Sequence, residues 1–358
     1  MQPLTIGTLT AKLPIVQGGM GIGVSLSKLA SAVANKGGIG VISAAGLGML
    51  YNKLSSSYEE NAREGLRQEI RKTRALTNGI FGVNIMVAMT NFSDLVKVAI
   101  EEAIDIIFAG AGLALDLPKY LHSQSQTKLA PIISSARAAK VLIKKWLKNH
   151  DYLPDAFVLE GPLAGGHLGF KKEQLEDPAF SLELLLAEVI EVVRPFEAAY
   201  NKPIPIIVGG GVYTGADIRH FLTKGAAAVQ MATRFVTTFE CDADAAFKET
   251  YIQAKQEDLV FIDSPVGLPG RAINNRYLED VTKGLKHPFV CPYSCIITCK
   301  KEAAPYCITL ALLNAQKGKL THGFAFAGSN AYRATEIISV QTLIDQLKDE
   351  YEQSAQKS

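Results

Sequence analysis

Short apolar runs rich in valine and isoleucine recur along the first two thirds of the chain. Each is followed by small or polar residues and then by a stretch with helical spacing. Eight such runs are found, at 14–17, 38–43, 80–85, 104–109, 130–134, 155–160, 205–209 and 227–231. Their continuity, without polar–apolar alternation, predicts parallel strands covered on both faces. Helices are predicted between them over 25–35, 58–76, 92–102, 136–148, 181–199 and 215–222. Ser25 and Ser181 stand where a hydroxyl could cap the first and fifth of these.

Eight strands in about 235 residues match a closed (β/α)8 TIM barrel over 1–240. A doubly wound open sheet is the competing layout. It would concentrate its glycines after the first strand, whereas here they are spread along the chain. After Thr238 the rhythm breaks into mixed helix and loop, ending in a charged helix over 337–351. Residues 241–358 are therefore expected to form a smaller, mostly helical region or lid beside the barrel mouth.

Composition narrows the classes. Hydrophobic residues make up 48% and charged residues 20%, with 37 basic against 35 acidic side chains. A sizeable core is affordable, and no basic face points to nucleic acid. No apolar run reaches the roughly 18 residues of a membrane span, and the first residues do not read as a secretory signal. A cytoplasmic enzyme is expected.

Candidate chemistry sits at the strand ends. The first strand runs into Gly18-Gly19-Met20-Gly21, which lacks dinucleotide-fingerprint spacing. Those glycines make either a tight turn or a place where backbone approaches a flat ligand. Asn84 ends the third strand with an amide that can donate and accept. The seventh strand ends in Gly209-Gly210-Gly211, and the eighth runs into Gln230-Met231-Ala232-Thr233. Loops seven and eight are where barrels commonly bind phosphate through backbone N–H groups. After strand six, His167 lies in Gly165-Gly166-His167-Leu168-Gly169. Its ordinary pKa near 6.5 suits proton exchange at neutral pH.

Four of five cysteines, Cys291, Cys295, Cys299 and Cys307, crowd into one segment. On a helix begun by Pro292 the first three would share a face. They read as a stripe of small apolar side chains or, alternatively, as a metal or iron–sulfur site, since four thiolates are the usual complement. Their spacing matches neither common zinc nor ferredoxin patterns, and no metal ligand is assigned.

These segments together resemble the nitronate monooxygenase family, formerly 2-nitropropane dioxygenases, which includes FMN-dependent enoyl-acyl-carrier-protein reductases. The matching stretches are 17–21, 82–84, 165–169, 209–212 and 230–233, in the family's order, joined later by SPVGLPGRAI (264–273) and FAGSNAYR (326–333). The resemblance implies a barrel that binds FMN. Gly19, Met20, Gly21 and Asn84 would lie near the flavin; Gly210, Gly211, Gln230, Met231, Ala232 and Thr233 would hold its phosphate end. His167 would be the active-site histidine. Three departures stand out. Gly161-Pro162-Leu163-Ala164 separates Glu160 from the Gly-Gly-His, Ala232 replaces a usual glycine, and Leu168 follows the histidine where an arginine is common. The implied reaction is oxidation of alkyl nitronates with oxygen. The alternatives are NAD(P)H-dependent enoyl reduction and a non-catalytic flavin or metal sensor. Expected partners are a small-molecule substrate, NAD(P)H if the reaction is a reduction, and, as an open alternative, a second copy of the chain in a homodimer. No nucleic acid or membrane is expected.

Overall fold

The computed structural model describes residues 1–53, 55, 57–286, 291 and 293–356. Eight parallel strands form one sheet: β1 (Ile15–Gln17), β2 (Gly40–Ser43), β3 (Phe81–Met86), β4 (Ile106–Gly110), β5 (Lys128–Ile133), β6 (Phe157–Glu160), β7 (Ile206–Gly209) and β8 (Ala228–Met231). Neighbours in sequence are neighbours in the sheet from β2 through β8, and β8 pairs β1. A parallel bridge between Val16 and Ile39 joins β1 to β2. There Ile39 N donates to Ile15 O and Gln17 N to Ile39 O, both at 2.9 Å. The seam is reinforced by the Gln17 amide, which accepts from Val41 N and donates to Val41 O. The ring closes, and the open doubly wound alternative falls away.

Alternation along the strands builds the barrel in layers. Val16, Val41, Phe108, Ala130, Val158, Ile207 and Ala228 point inward and pack together. An antiparallel hairpin (Leu4–Ile6 with Leu9–Ala11) adds Leu4, Ile6 and Ala11 to that cluster and plugs the N-terminal end. Outward positions such as Phe81, Val83, Ile85, Phe157 and Leu159 pack beneath the helices. The period of two then fixes the next inward layer, toward the C-terminal ends of the strands. It holds Gly18, Ser43, Asn84, Gly110, Ile132, Glu160 and Gln230, and all seven line a cavity.

Helices follow the strands as expected: α1 (Ser27–Asn35), α2 (Tyr58–Leu76), α3 (Phe92–Glu101), α4 (Ala136–His150), α5 (Leu182–Tyr200) and α6 (Gly215–Thr223). Between β4 and β5 only a 3-10 turn intervenes (Leu117–Tyr120). Neither proposed serine cap forms. The α1 N-cap is Leu26, and the first amides are bound across the fold: Asp242 accepts from Leu26 N (2.7 Å) and Leu29 N (3.2 Å), and Glu69 from Ser27 N (2.9 Å). Ser25 instead accepts from Met20 N at 2.8 Å and pins the glycine-rich turn. Ser181 stands at the N-cap of α5 without a side-chain bond.

The region after Thr238 is helical, with one addition absent from the sequence reading. A hairpin (Leu259–Asp263 with Pro269–Ile273) takes Gly166–His167 as its third strand. The last helix, Val340–Gln356, starts later than predicted because Ile338 is held in a bridge to Thr238. The cysteine-bearing segment is not helical. Cys291, Cys295 and Cys299 lie in turns and irregular backbone, and Ser294 has φ +44°. Pro292 lies outside the described residues.

Candidate active site

At the C-terminal ends of the strands opens a cavity of about 250 Å³. Gly19, Met20, Gly21, Asn84, His167, Gly210, Gly211, Gln230, Met231, Ala232 and Thr233 all line it. Its walls come from loops one to four and six to eight of the barrel and from the later segments around Cys295, Ile308 and Phe326. No lysine or arginine lines it among the described residues.

The reasons for individual residues differ in part from the sequence reading. A Cβ on Gly19 would meet Asn84 Cβ at 2.3 Å, so this glycine is required by the neighbouring strand whether or not a ligand is present. The Met231 side chain packs into the outer core, which leaves backbone as its contribution to the cavity. Gly210 and Gly211 have φ +99° and +90°, conformations that side chains resist. Their N–H groups have no hydrogen-bond partner among the described residues. Beside them, the helical turn Thr233–Val236 begins at Ala232, and its first amides lack intrahelical acceptors. Unpaired backbone N–H groups of this kind are suited to an anion; Arg234, in the same turn, is engaged by Tyr213 O and Gln346 and does not line the cavity.

Segment 326–333 ties these loops together. Gly328 N donates to Thr233 Oγ1 (3.3 Å), Ser329 N to Leu163 O (3.1 Å), and Asn330 Nδ2 to Gly211 O (2.7 Å). The 264–273 segment fixes the histidine loop in the same way. Gly270 pairs His167 in the sheet. The guanidinium of Arg271, buried over Phe261, donates to Pro162 O (2.9 Å) and Ala164 O (2.7 Å). Both segments were recognisable as motifs, but neither Ser264 nor Arg271 was given a role from sequence.

His167 Nε2 shares a 2.7 Å hydrogen bond with Ser264 Oγ, and its ring meets Phe326 edge-on at 5.0 Å. Burial in this apolar corner pushes its pKa down to about 4. The neutral-range titration expected of His167 is thus corrected: at pH 7 the imidazole is uncharged. Glu160, which the sequence reading passed over, takes that place. Burial pushes its carboxyl up to about 7, against a small opposing effect from the Gln230 amide, which donates to it at 3.3 Å. Its signal in the sequence was a lone acid closing an apolar strand at the catalytic end of a barrel.

A model of the nitronate monooxygenase family matches residues 2–350. The chain belongs to the nitronate monooxygenase family. A probable nitronate monooxygenase of Staphylococcus aureus (strain Newman) is 27% identical over 304 residues, 77% of this chain and 79% of that one. The (3aS,4S,5R,7aS)-5-hydroxy-7a-methyl-1-oxo-octahydro-1H-indene-4-carboxyl-CoA dehydrogenase of Mycobacterium tuberculosis is 30% identical over 271 residues. That match covers 76% of this chain but only 66% of the relative's length. Among solved structures, FabK from Thermotoga maritima superposes with TM-score 0.74 at 27% identity, over 97% of this chain and 95% of its own. The protein is an oxidoreductase of a flavin-using family. A non-catalytic sensor finds no support among these relatives. Among the described residues, no helix is long and apolar enough to cross a membrane.

Proposed function

We propose that this enzyme binds FMN in the 250 Å³ cavity and oxidises alkyl nitronates with oxygen. One observation carries the reading. The unpaired amides after β7 and β8 and the pair His167 and Glu160 open into one cavity with no cationic side chain in its lining. Gly210, Gly211 and the Thr233 turn would hold a single phosphate. Thr233 Oγ1 accepts from Gly328 N and keeps its own proton to donate. Gln230, Met231 and Ala232 would flank that end; Gly19, Met20, Gly21 and Asn84 would lie beside the ring system. A single cradle in this lining, among the described residues, favours FMN over FAD. In this reading residues 1–240 hold the cofactor and 241–358 roof the substrate side.

When bound, the flavin supplies the redox chemistry, and the protein supplies position and electrostatics. A neutral His167 is a weak base, suited to orienting an anion that is already deprotonated. With Nε2 engaged by Ser264, Nδ1 is the nitrogen left for substrate. When the serine hydroxyl donates, Nδ1 carries the proton and can donate to a nitronate oxygen. Glu160, protonated below about pH 7, leaves the site without a competing negative charge.

A second reading, oxidation or reduction of an acyl thioester with NAD(P)H or NAD(P)+, draws on the apolar wall of Met86, Met89, Ile132, Val266, Ile296 and Leu312. The mycobacterial relative's name as a carboxyl-CoA dehydrogenase points the same way. The cofactor proposal is tested by heating the purified protein and chromatographing what it releases. FMN is expected. Recovery of FAD, or a colourless protein that takes up no FMN, would overturn it.

A further inference from the structure

Cys291, Cys295, Cys299 and Cys307 all line a second cavity of about 30 Å³. That exceeds the roughly 10–15 Å³ one water requires. Cys295, Ile296, Ile308 and Thr309 belong to the walls of both cavities, so the two spaces share a partition. The partition is fixed to the barrel: Thr90 N donates to Cys295 O (3.2 Å), Met89 bridges Ile296, and Cys295 Sγ contacts Thr309 Oγ1 at 3.1 Å.

Three simpler accounts fit poorly. Packing would bury the thiols, yet Cys291, Cys299 and Cys307 are only partly buried and face open space. Disulfides would pair them, yet all four are free thiols. A single zinc ion would draw them to one centre. Among the described residues, no three His, Cys, Asp or Glu side chains are so arranged. What remains is four thiols around one void, the ligand complement of a four-iron cluster.

We infer that Cys291, Cys295, Cys299 and Cys307 ligate a [4Fe–4S] cluster, which would place a one-electron centre one side chain away from the flavin cavity. Lys301, also in the lining, offers one cation toward the anionic cluster.

The test is anaerobic purification from cells supplied with iron. Iron, zinc, acid-labile sulfide and flavin are counted per chain, and electron paramagnetic resonance is recorded after dithionite reduction. About four iron and four sulfide per chain are expected, with a cluster signal separate from any flavin signal. Cys299→Ala, at the partly exposed rim, should lose most of the iron while keeping flavin. Cys241→Ser should keep both, since Cys241 is outside this lining and bonds Val24 O. Stoichiometric zinc without sulfide, or metal-free wild-type protein, would overturn the inference; wild-type stoichiometry decides even if a variant fails to fold. Flavin content is read separately, so failure of the cofactor reading would show as cluster without flavin.

Discussion

Replacing Glu160 with glutamine keeps the shape of the side chain and removes its titration. The carboxyl is raised from 4.5 to about 7, roughly 2.5 pH units, and each unit is worth about 1.4 kcal/mol. The sign follows from proton uptake. Between pH 4.5 and 7 the folded state keeps a proton that the unfolded chain has lost, so stability falls as pH rises through this window. The total loss is about 3 kcal/mol, complete near pH 7. His167, lowered to about 4, acts in the opposite sense: its neutral form favours the fold increasingly from pH 4 to 6.5, again by about 3 kcal/mol. In wild-type protein the two slopes nearly cancel. Glu160→Gln exposes the histidine's slope alone, so the variant should gain about 3 kcal/mol relative to wild type between pH 4.5 and 7. Guanidinium unfolding of flavin-free protein at half-unit pH steps measures this. Parallel curves for the two proteins would refute the buried, neutral carboxyl.

His167→Asn should keep flavin bound, because the proposed anion cradle lies on other loops, and, with the Nδ1 donor to the substrate anion withdrawn, should slow substrate reduction of the flavin by about 10²–10³-fold. The pH profile of that step in wild type should show a group near 7 that persists in His167→Asn and vanishes in Glu160→Gln, with anionic substrate binding more weakly above it; the reverse assignment would restore His167 as the titrating group. Gly211→Val places a branched side chain at φ +90°, where its Cβ would also meet Leu163 at 2.9 Å. Flavin content should collapse while far-UV circular dichroism stays near wild type, and full retention of flavin would move the cradle elsewhere.

The barrel was legible because a parallel sheet covered on both faces leaves eight continuous apolar runs, and strand parity alone sends Asn84, Glu160 and Gln230 into one layer. The glycine-rich ends of β1 and β7 were legible as places, less so as reasons: Gly19 answers to Asn84, more than a hundred residues from the loops that form the cradle. Caps made by Asp242 and Glu69 could not be read locally, because their acceptors lie 42 to 216 positions away from the amides they bind. The pKa of His167 was misjudged for the same reason. Its desolvation comes from Phe326 and the 264–273 hairpin, neither of which its own glycine-rich loop reveals. The cysteine spacing suggested one helical face, but the segment folds through turns that bring all four thiols round a void.

Which substrate delivers electrons to the cavity decides between the two reactions. Flavin-loaded enzyme is mixed without oxygen, in separate rapid-mixing runs, with an alkyl nitronate and with NADPH, and flavin absorbance is followed. Bleaching by the nitronate, at a rate that supports turnover once oxygen is admitted, with the flavin still oxidised after NADPH, is the predicted result. Bleaching by NADPH and none by the nitronate would contradict it and make the enzyme a reductase.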